Sequence, residues 1–271
     1  RIYGSVTVTK YGVTKLHLLP GTEFGLYKED GTLVKRAFTG ADGTITFSKL
    51  PCGSYYVQEL TPPKGFVLNN QKIQIEVTEA RNYPVEYTDS RISLTISKQD
   101  IGANREIAGA ELELYKKVNG SGRTLIERWT STGTPHTIDY RLLEINTDYV
   151  LVEKKAPAGY GYAAEIEIQI QADGSLLVNG SANTTGKTVV MKDTPIQLLI
   201  GKVASDYPTV QQPNAILALY NDENQEIARF TTATTEKVVD ASLLEAPQTA
   251  GTYRFYTLRE LSAPDGYSIA E

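Results

Sequence analysis

Three strand-like runs in this chain end on a lysine that keeps the phase of the apolar residues before it. They are Val6, Val8, Lys10; Ile92, Leu94, Ile96, Lys98; and Ile196, Leu198, Ile200, Lys202. Side chains at i, i+2 and i+4 of a strand share one face, so each lysine is directed where its apolar neighbours point, into a core. Burying an unpaired ammonium is very costly, and the usual escape is loss of the proton. A neutral amine is a nucleophile, and the rest of the sequence offers it a target.

Each lysine is followed 49 to 58 residues later by a glutamate in the same register: Tyr55, Val57, Glu59; Tyr149, Leu151, Glu153; and Tyr256, Leu258, Glu260. A proline, a glycine and an aromatic stand 4, 6 and 7 residues after each glutamate, as Pro63, Gly65, Phe66; Pro157, Gly159, Tyr160; and Pro264, Gly266, Tyr267. Proline and glycine stop a strand and set a fixed turn, and the aromatic is expected to pack back on the sandwich edge. Two units then close on an aspartate in apolar phase, through Val85, Tyr87, Asp89 and Val189, Met191, Asp193, with the next lysine nine residues later in both. The bland alternative is a lysine at a strand end whose ammonium reaches solvent. It suits any one of these lysines and explains poorly the recurrence of the whole pattern.

These residues resemble the Cna B-type domains, also called SpaA-like pilin domains, of Gram-positive surface proteins. The matching segments are the first-strand lysine, Leu19-Pro20-Gly21-Thr22-Glu23-Phe24-Gly25-Leu26-Tyr27, Ile107-Ala108-Gly109-Ala110-Glu111-Leu112-Glu113-Leu114-Tyr115, and the glutamate–proline–glycine–aromatic box. A looser copy is Gln212-Pro213-Asn214-Ala215-Ile216-Leu217-Ala218-Leu219-Tyr220. In that family the lysine amine condenses with an Asn or Asp on the last strand, giving an intramolecular isopeptide bond, and the box glutamate assists. The resemblance therefore implies Lys10–Asp89 with Glu59 and Lys98–Asp193 with Glu153, with water as the leaving product. The chemistry also stands on physical grounds. An amine and a carboxylate in an apolar site can exchange a proton and become neutral. A buried glutamic acid can shuttle protons, and alignment raises effective concentration to roughly 10⁵ M or more. This is a single-turnover maturation step, so no enzymatic activity and no cofactor are expected.

The fold expected is all-β: three tandem Ig-like or prealbumin-like sandwiches, the third lacking its last strand. The expected domains are 1–90, 91–195 and 196–271, set by the 88- and 104-residue lysine-to-lysine spacings. Val, Ile, Thr and Tyr alternate with polar residues, and turn signals recur at Asp30-Gly31, Asp42-Gly43, Asn119-Gly120 and Asp173-Gly174. The sandwiches are read as antiparallel with Greek-key-type connections. Short linkers near Ser90-Arg91 and Thr194-Pro195 favour a semi-rigid rod.

A net charge of −5 gives no reason to expect nucleic acid, and no stretch of about 18 apolar residues is present to span a membrane. No signal peptide is seen, and the start at Arg1 reads as an internal fragment. One cysteine cannot close an intrachain disulfide; alone it favours the cytosol. Covalent clamps of another kind reconcile it with an extracellular, cell-wall location.

Other motifs carry less. Cys52 and Gln58 invite an internal thioester, but six residues of extended strand set them well over ~10 Å apart, and Cys52 fits an inert turn position. Leu19-Pro20-Gly21-Thr22-Glu23 resembles a sorting signal yet ends in Glu where glycine is required. No tyrosine–proline–lysine pilin motif exists, since Tyr83-Pro84 and Tyr207-Pro208 are followed by other residues. His17 and His136 are isolated, so no metal site is expected.

The resulting reading is mechanical: a stalk or minor-pilin segment of a cell-wall-anchored adhesin. Its partners would be other pilus or adhesin subunits, or a host surface ligand. The alternative is a binding module for a host glycoprotein or carbohydrate. A third reading, a β-sandwich enzyme, needs a pocket with converging carboxylates. The third unit keeps Lys202 and Glu260, but only eleven residues follow the glutamate, where the acceptor lies 30 and 40 residues on in the other two. Lys202 is therefore expected to be unreacted, its closing strand coming from a further segment or from another polypeptide.

Overall fold

Burial alternates residue by residue along strands such as Tyr3–Tyr11 and Asn82–Thr88 of the computed structural model, which describes residues 2–118, 120, 122–247 and 252–270. The first unit contains β1 (Tyr3–Tyr11), β2 (Glu23–Lys28), β3 (Leu33–Phe38), β4 (Thr44–Pro51), β5 (Gly53–Thr61), β6 (Lys72–Val77) and β7 (Asn82–Thr88). They form two sheets, in the orders β4-β1-β7 and β3-β2-β5-β6. The inward faces meet in a core of Val6, Val8, Phe24, Leu26, Phe47, Val57 and Tyr87, among others. Each such side chain, taken out of water, contributes roughly 1.5–3 kcal/mol.

The second unit repeats the plan with nine strands. It contains β8 (Thr95–Asp100), β9 (Ala108–Lys117), β10 (Arg123–Thr132), β11 (His136–Thr137), β12 (Thr147–Lys155), β13 (Ile166–Ile170), β14 (Leu176–Val178), β15 (Ser181–Ala182) and β16 (Thr188–Asp193). Its sheets run β11-β8-β16 and β10-β9-β12-β13-β14-β15. Leu94, Ile96, Leu112, Leu114, Tyr149, Leu151, Ile168 and Met191 fill the space between them.

The third unit is sparser: β17 (Leu199–Ile200), β18 (Val203–Ala204), β19 (Tyr207–Gln211), β20 (Ile216–Tyr220), β21 (Glu226–Thr231), β22 (Lys237–Val238) and β23 (Thr257–Ser262). One sheet is β21-β20-β23, and β17 pairs with β22. In the other units the equivalent first strand has a neighbour on both sides, whereas β17 has β22 on one flank and, among the described residues, no strand on the other. The run Ile196 to Lys202 accordingly forms only a two-residue strand.

The sandwiches differ from the expected antiparallel plan in one respect that matters. The first and last strands of a unit lie side by side and parallel, β1 with β7 and β8 with β16. Two such strands must both run toward the exit of the unit, which brings the lysine near the end of one beside the aspartate at the end of the other. The turn signals behave as read: Gly31, Gly43 and Gly174 sit at φ values of +87°, +70° and +75°, where only glycine is unstrained. Asn119 of the Asn119-Gly120 turn lies outside the described residues. Two 3₁₀ turns, Tyr140–Leu142 and Ala241–Leu243, are the helical elements among the described residues.

Leu114 is fully buried in the second core, and Trp129, the chain's single tryptophan, packs against that core. Leu114→Ala should cost about 2–5 kcal/mol. Tryptophan fluorescence during urea unfolding reads that loss for the second unit alone.

Candidate functional site

Each lysine is fixed first through its backbone. The N–H of Leu19 donates to the carbonyl of Lys10 (2.9 Å), that of Ile107 to Lys98 (2.8 Å) and that of Gln212 to Lys202 (2.6 Å). The donors are the first residues of the three similar segments identified in the sequence, so each segment pins the lysine strand before entering the opposite sheet. Glu59, on β5, and Glu153, on β12, face the lysines from that opposite sheet. Asp89 follows β7 directly, and Asp193 ends β16.

The parallel register sets the approach. Lys10 pairs with Tyr87 and Lys98 with Met191, so in both units the aspartate lies two residues further along the neighbouring strand. The Lys10 ammonium donates to Asp89 Oδ1, and Lys98 to Asp193 Oδ1. Lys10 Nζ also donates to Glu59 Oε2 at 2.9 Å. Lys98 Nζ forms an ion pair with Glu153 Oε1 at 2.9 Å. Both lysine side chains and all four carboxylates are at most 2 % exposed. In the first unit the ammonium stands 5.8 Å and 5.7 Å from the ring centres of Phe24 and Tyr87. Tyr87 is held in place by donating its hydroxyl to the Val57 and Gln71 carbonyls, at 2.6 Å and 3.0 Å.

A recurring member of the site was not visible in the residue pattern. The backbone N–H ten residues past each glutamate donates to its Oε2: Asn69 to Glu59 (3.1 Å), Ala163 to Glu153 (2.7 Å) and Ala270 to Glu260 (2.6 Å). A backbone donor leaves no mark on residue type, and only the constant spacing could have revealed it.

Burial governs the electrostatics. Loss of water raises Glu59 to about 7 against the opposing pull of Lys10, and Asp89 adds to the rise. Glu153 is raised to about 7 in the same way, opposed chiefly by Lys98. Asp89 and Asp193 are also raised by burial, opposed by their lysines. Glu59 Oε1, Asp89 Oδ2 and Asp193 Oδ2 are buried and accept no hydrogen bond. Bare carboxylate oxygens in such a place are costly, and a proton held between glutamate and aspartate relieves them. The arrangement is a lysine, a carboxyl acceptor and a carboxylic acid in one dry pocket.

The third copy is partial. Lys202 lies between β17 and β18, its side chain is 20 % exposed, and its ion-pair partner among the described residues is Glu260, at 3.3 Å. Of the other sequence candidates, Cys52 is an exposed free thiol in the turn between β4 and β5. Leu19 is buried where the chain enters β2. His136 stacks on Trp129 and lies 2.9 Å from Glu127, and no group of three metal-binding side chains occurs among the described residues. Among the described residues no helix is long and apolar enough to cross a membrane.

A family model described as SpaA, prealbumin-like fold domain, matches residues 4–91 and 92–184. The chain belongs to this family. Among solved structures it is similar to the Bacillus anthracis TIE protein, with 22 % identity over all of this chain and 47 % of that one and a TM-score of 0.43. It thus spans about half the length of that protein. It is similar also to a C-terminal fragment of the pilus adhesin SpaC from Lactobacillus rhamnosus GG, at 18 % identity over 74 % of this chain and 100 % of that one, TM-score 0.41. BcpA*(D312A), the major pilin subunit of Bacillus cereus, is 15 % identical over 99 % and 93 %, TM-score 0.40. No curated protein matches the chain.

Tyr87→Phe tests the scaffold of the first site. It removes the one hydroxyl that the Val57 and Gln71 carbonyls share, and a cost of roughly 0.5–1.5 kcal/mol is expected. Calorimetry should show it as a lowered transition of the first unit with the second unit's unchanged.

Proposed function

We propose that Lys10–Asp89 and Lys98–Asp193 condense spontaneously to isopeptide bonds, and that the chain is a load-bearing stalk segment of a cell-surface pilus or adhesin. The single observation behind this reading is the twofold occurrence of a buried lysine touching a last-strand aspartate beside a protonatable glutamate. In each reaction the lysine Nζ attacks Asp Cγ, a C–N bond forms, a C–O bond breaks, and one water leaves. Glu59 and Glu153 donate a proton toward the carboxyl oxygen and accept one from the nitrogen as the tetrahedral intermediate collapses. The domains proposed are 1–90, 91–195 and 196–271, with Lys202 and Glu260 forming the same pair in the third without a reacted acceptor. The family favours a structural role over catalysis on an external substrate. The proposed setting is the Gram-positive cell wall, with other pilus or adhesin subunits as partners.

Intact mass is the direct test. The chain should be lighter than its sequence by two waters, and Glu59→Ala or Glu153→Ala should each restore one. A mass equal to that of the uncondensed chain would rule the bonds out.

The reaction should also slow as pH rises through about 7. The reactive arrangement, with neutral amine and both carboxyls protonated, holds one proton more than the fully ionised trio. It is a tautomer of the form in which the glutamate is protonated, and that form dominates below the glutamate's raised value and is lost above it. Chain recovered unfolded from inclusion bodies and refolded between pH 5.5 and pH 8.5, roughly spanning that value, should lose water faster at the lower end. Mass spectrometry over time reads the rate, and a rate rising steadily with pH would contradict the glutamate's role.

A further inference from the structure

The aromatic of the proline–glycine–aromatic turn packs on its own unit, Phe66 lying 6.1 Å from the His17 ring and Tyr160 donating to Asp100 Oδ2, and in both places where another unit follows the turn is also held by that unit. Gly65 donates its N–H to the Leu143 carbonyl (2.9 Å) and accepts from the Ile92 N–H (2.9 Å). Gly159 repeats both bonds, to Leu244 (2.6 Å) and from Ile196 (2.8 Å). Phe66 meets Tyr140 edge-on, with ring centres 5.7 Å apart, and the Arg91 guanidinium covers the same Tyr140 ring.

The receiving element is also the same in both joints. Leu143 and Leu244 cap 3₁₀ turns that begin on Asp139 and Asp240, whose carboxylates accept from the N–H groups of Arg141 and Ser242. The sequences are Asp139-Tyr140-Arg141-Leu142-Leu143-Glu144 and Asp240-Ala241-Ser242-Leu243-Leu244-Glu245. The first unit has no such turn, since only Cys52 separates β4 from β5.

Glycine is needed here twice over. Gly65 and Gly159 adopt φ of +88° and +83°, and a Cβ would lie 2.9 Å from the Tyr140 carbonyl oxygen and 2.6 Å from that of Ala241. Those are backbone atoms and cannot swing aside. Gly266 forms the same turn at φ +86°, with Tyr267 N–H on the Pro264 carbonyl as in the other copies. Yet a Cβ there would meet nothing within 4 Å among the described residues, and Tyr267 is 48 % exposed where Phe66 is 4 %.

We propose that this turn is the coupling joint between units, and that Pro264–Tyr267 is an open joint that takes a further domain of this fold bearing an Asp-x-x-Leu-Leu-Glu 3₁₀ turn. The occupant follows from what the two filled joints share. A second wild-type copy of this chain does not fit, because its own glycines fill both of its 3₁₀ turns and its first unit lacks one.

Three glycine variants of the full chain test the joint against simple backbone strain, since all three share the same φ. Gly65→Ala and Gly159→Ala should speed amide exchange at Ile92 and Ile196, respectively, by about tenfold or more. Residual dipolar couplings should show the flanking units losing their fixed relative orientation, while exchange of each unit's core amides stays unchanged. Gly266→Ala should do neither. Equal behaviour of all three, or no loosening in the first two, would overturn the joint. For the open copy, isotopically labelled wild-type chain is titrated with unlabelled Gly65→Ala chain, in which the Tyr140–Leu143 turn is released. Shifts at the Gly266 and Tyr267 amides are expected with this variant and not with unlabelled wild type. No shift at millimolar concentration, or equal shifts with both, would overturn the assignment of the occupant.

Discussion

Everything distinctive in this chain follows from placing an ammonium where water cannot reach it. Lys10 and Lys98 are buried as deeply as the valines and isoleucines beside them. Ion pairing in such a place recovers the desolvation cost only when geometry is favourable and the remaining polar atoms are satisfied. Here two carboxylates face one ammonium, and four carboxylate oxygens of the two sites accept no hydrogen bond. As an assembly of separate ions the site is poor. As a set of neutral reactants it is well arranged, because the low dielectric that penalises the charges also favours the protonation states that condensation requires. An amide has no charge to bury, so the same pocket that strains the reactants suits the product.

The parallel pairing of first and last strands gives that chemistry a mechanical meaning. Tension entering a unit at the start of β1 runs along that strand to Lys10, and the chain leaves the unit immediately after Asp89. Once condensed, those two residues pass the load directly, and β2 to β7 lie in a closed loop outside the path. The lysine and aspartate are 79 and 95 positions apart in the two units. Closing loops of that length lowers unfolded-chain entropy by roughly 4–5 kcal/mol if the disulfide relation carries over. An antiparallel arrangement would place the exit at the opposite end and leave most strands under load.

Much of this was legible in the sequence because period-two alternation fixes which face a residue takes. That rule turned Lys10, Glu59 and Asp89 inward, as it did their equivalents in the second unit, and the family resemblance grouped them. The strand direction was not legible: alternation reads the same for parallel and antiparallel neighbours. The amides of Asn69 and Ala163 were hidden because backbone donors carry no residue signature. In the third unit the alternation of Ile196, Leu198, Ile200 and Lys202 overstated the strand. Leu199–Ile200 has β22 on one flank, and without a described neighbour on the other the ladder does not extend to the lysine.

The joint between units shows one short motif bearing two constraints. The strand that carries Glu59 must end soon after it, and proline and glycine supply the stop. The same glycine, because it lacks a Cβ, lets the backbone of the next unit approach to hydrogen-bond distance. Site and joint are thus separated by only six residues, in Glu59 and Gly65 as in Glu153 and Gly159. The exit strand, the lysine–aspartate pair and the contact with the following unit meet at one end of the sandwich. A rod built this way needs no long rigid linker. The point where load leaves one unit is the point where the next is clasped, and bending there would have to break the glycine's two backbone hydrogen bonds along with the packing around it.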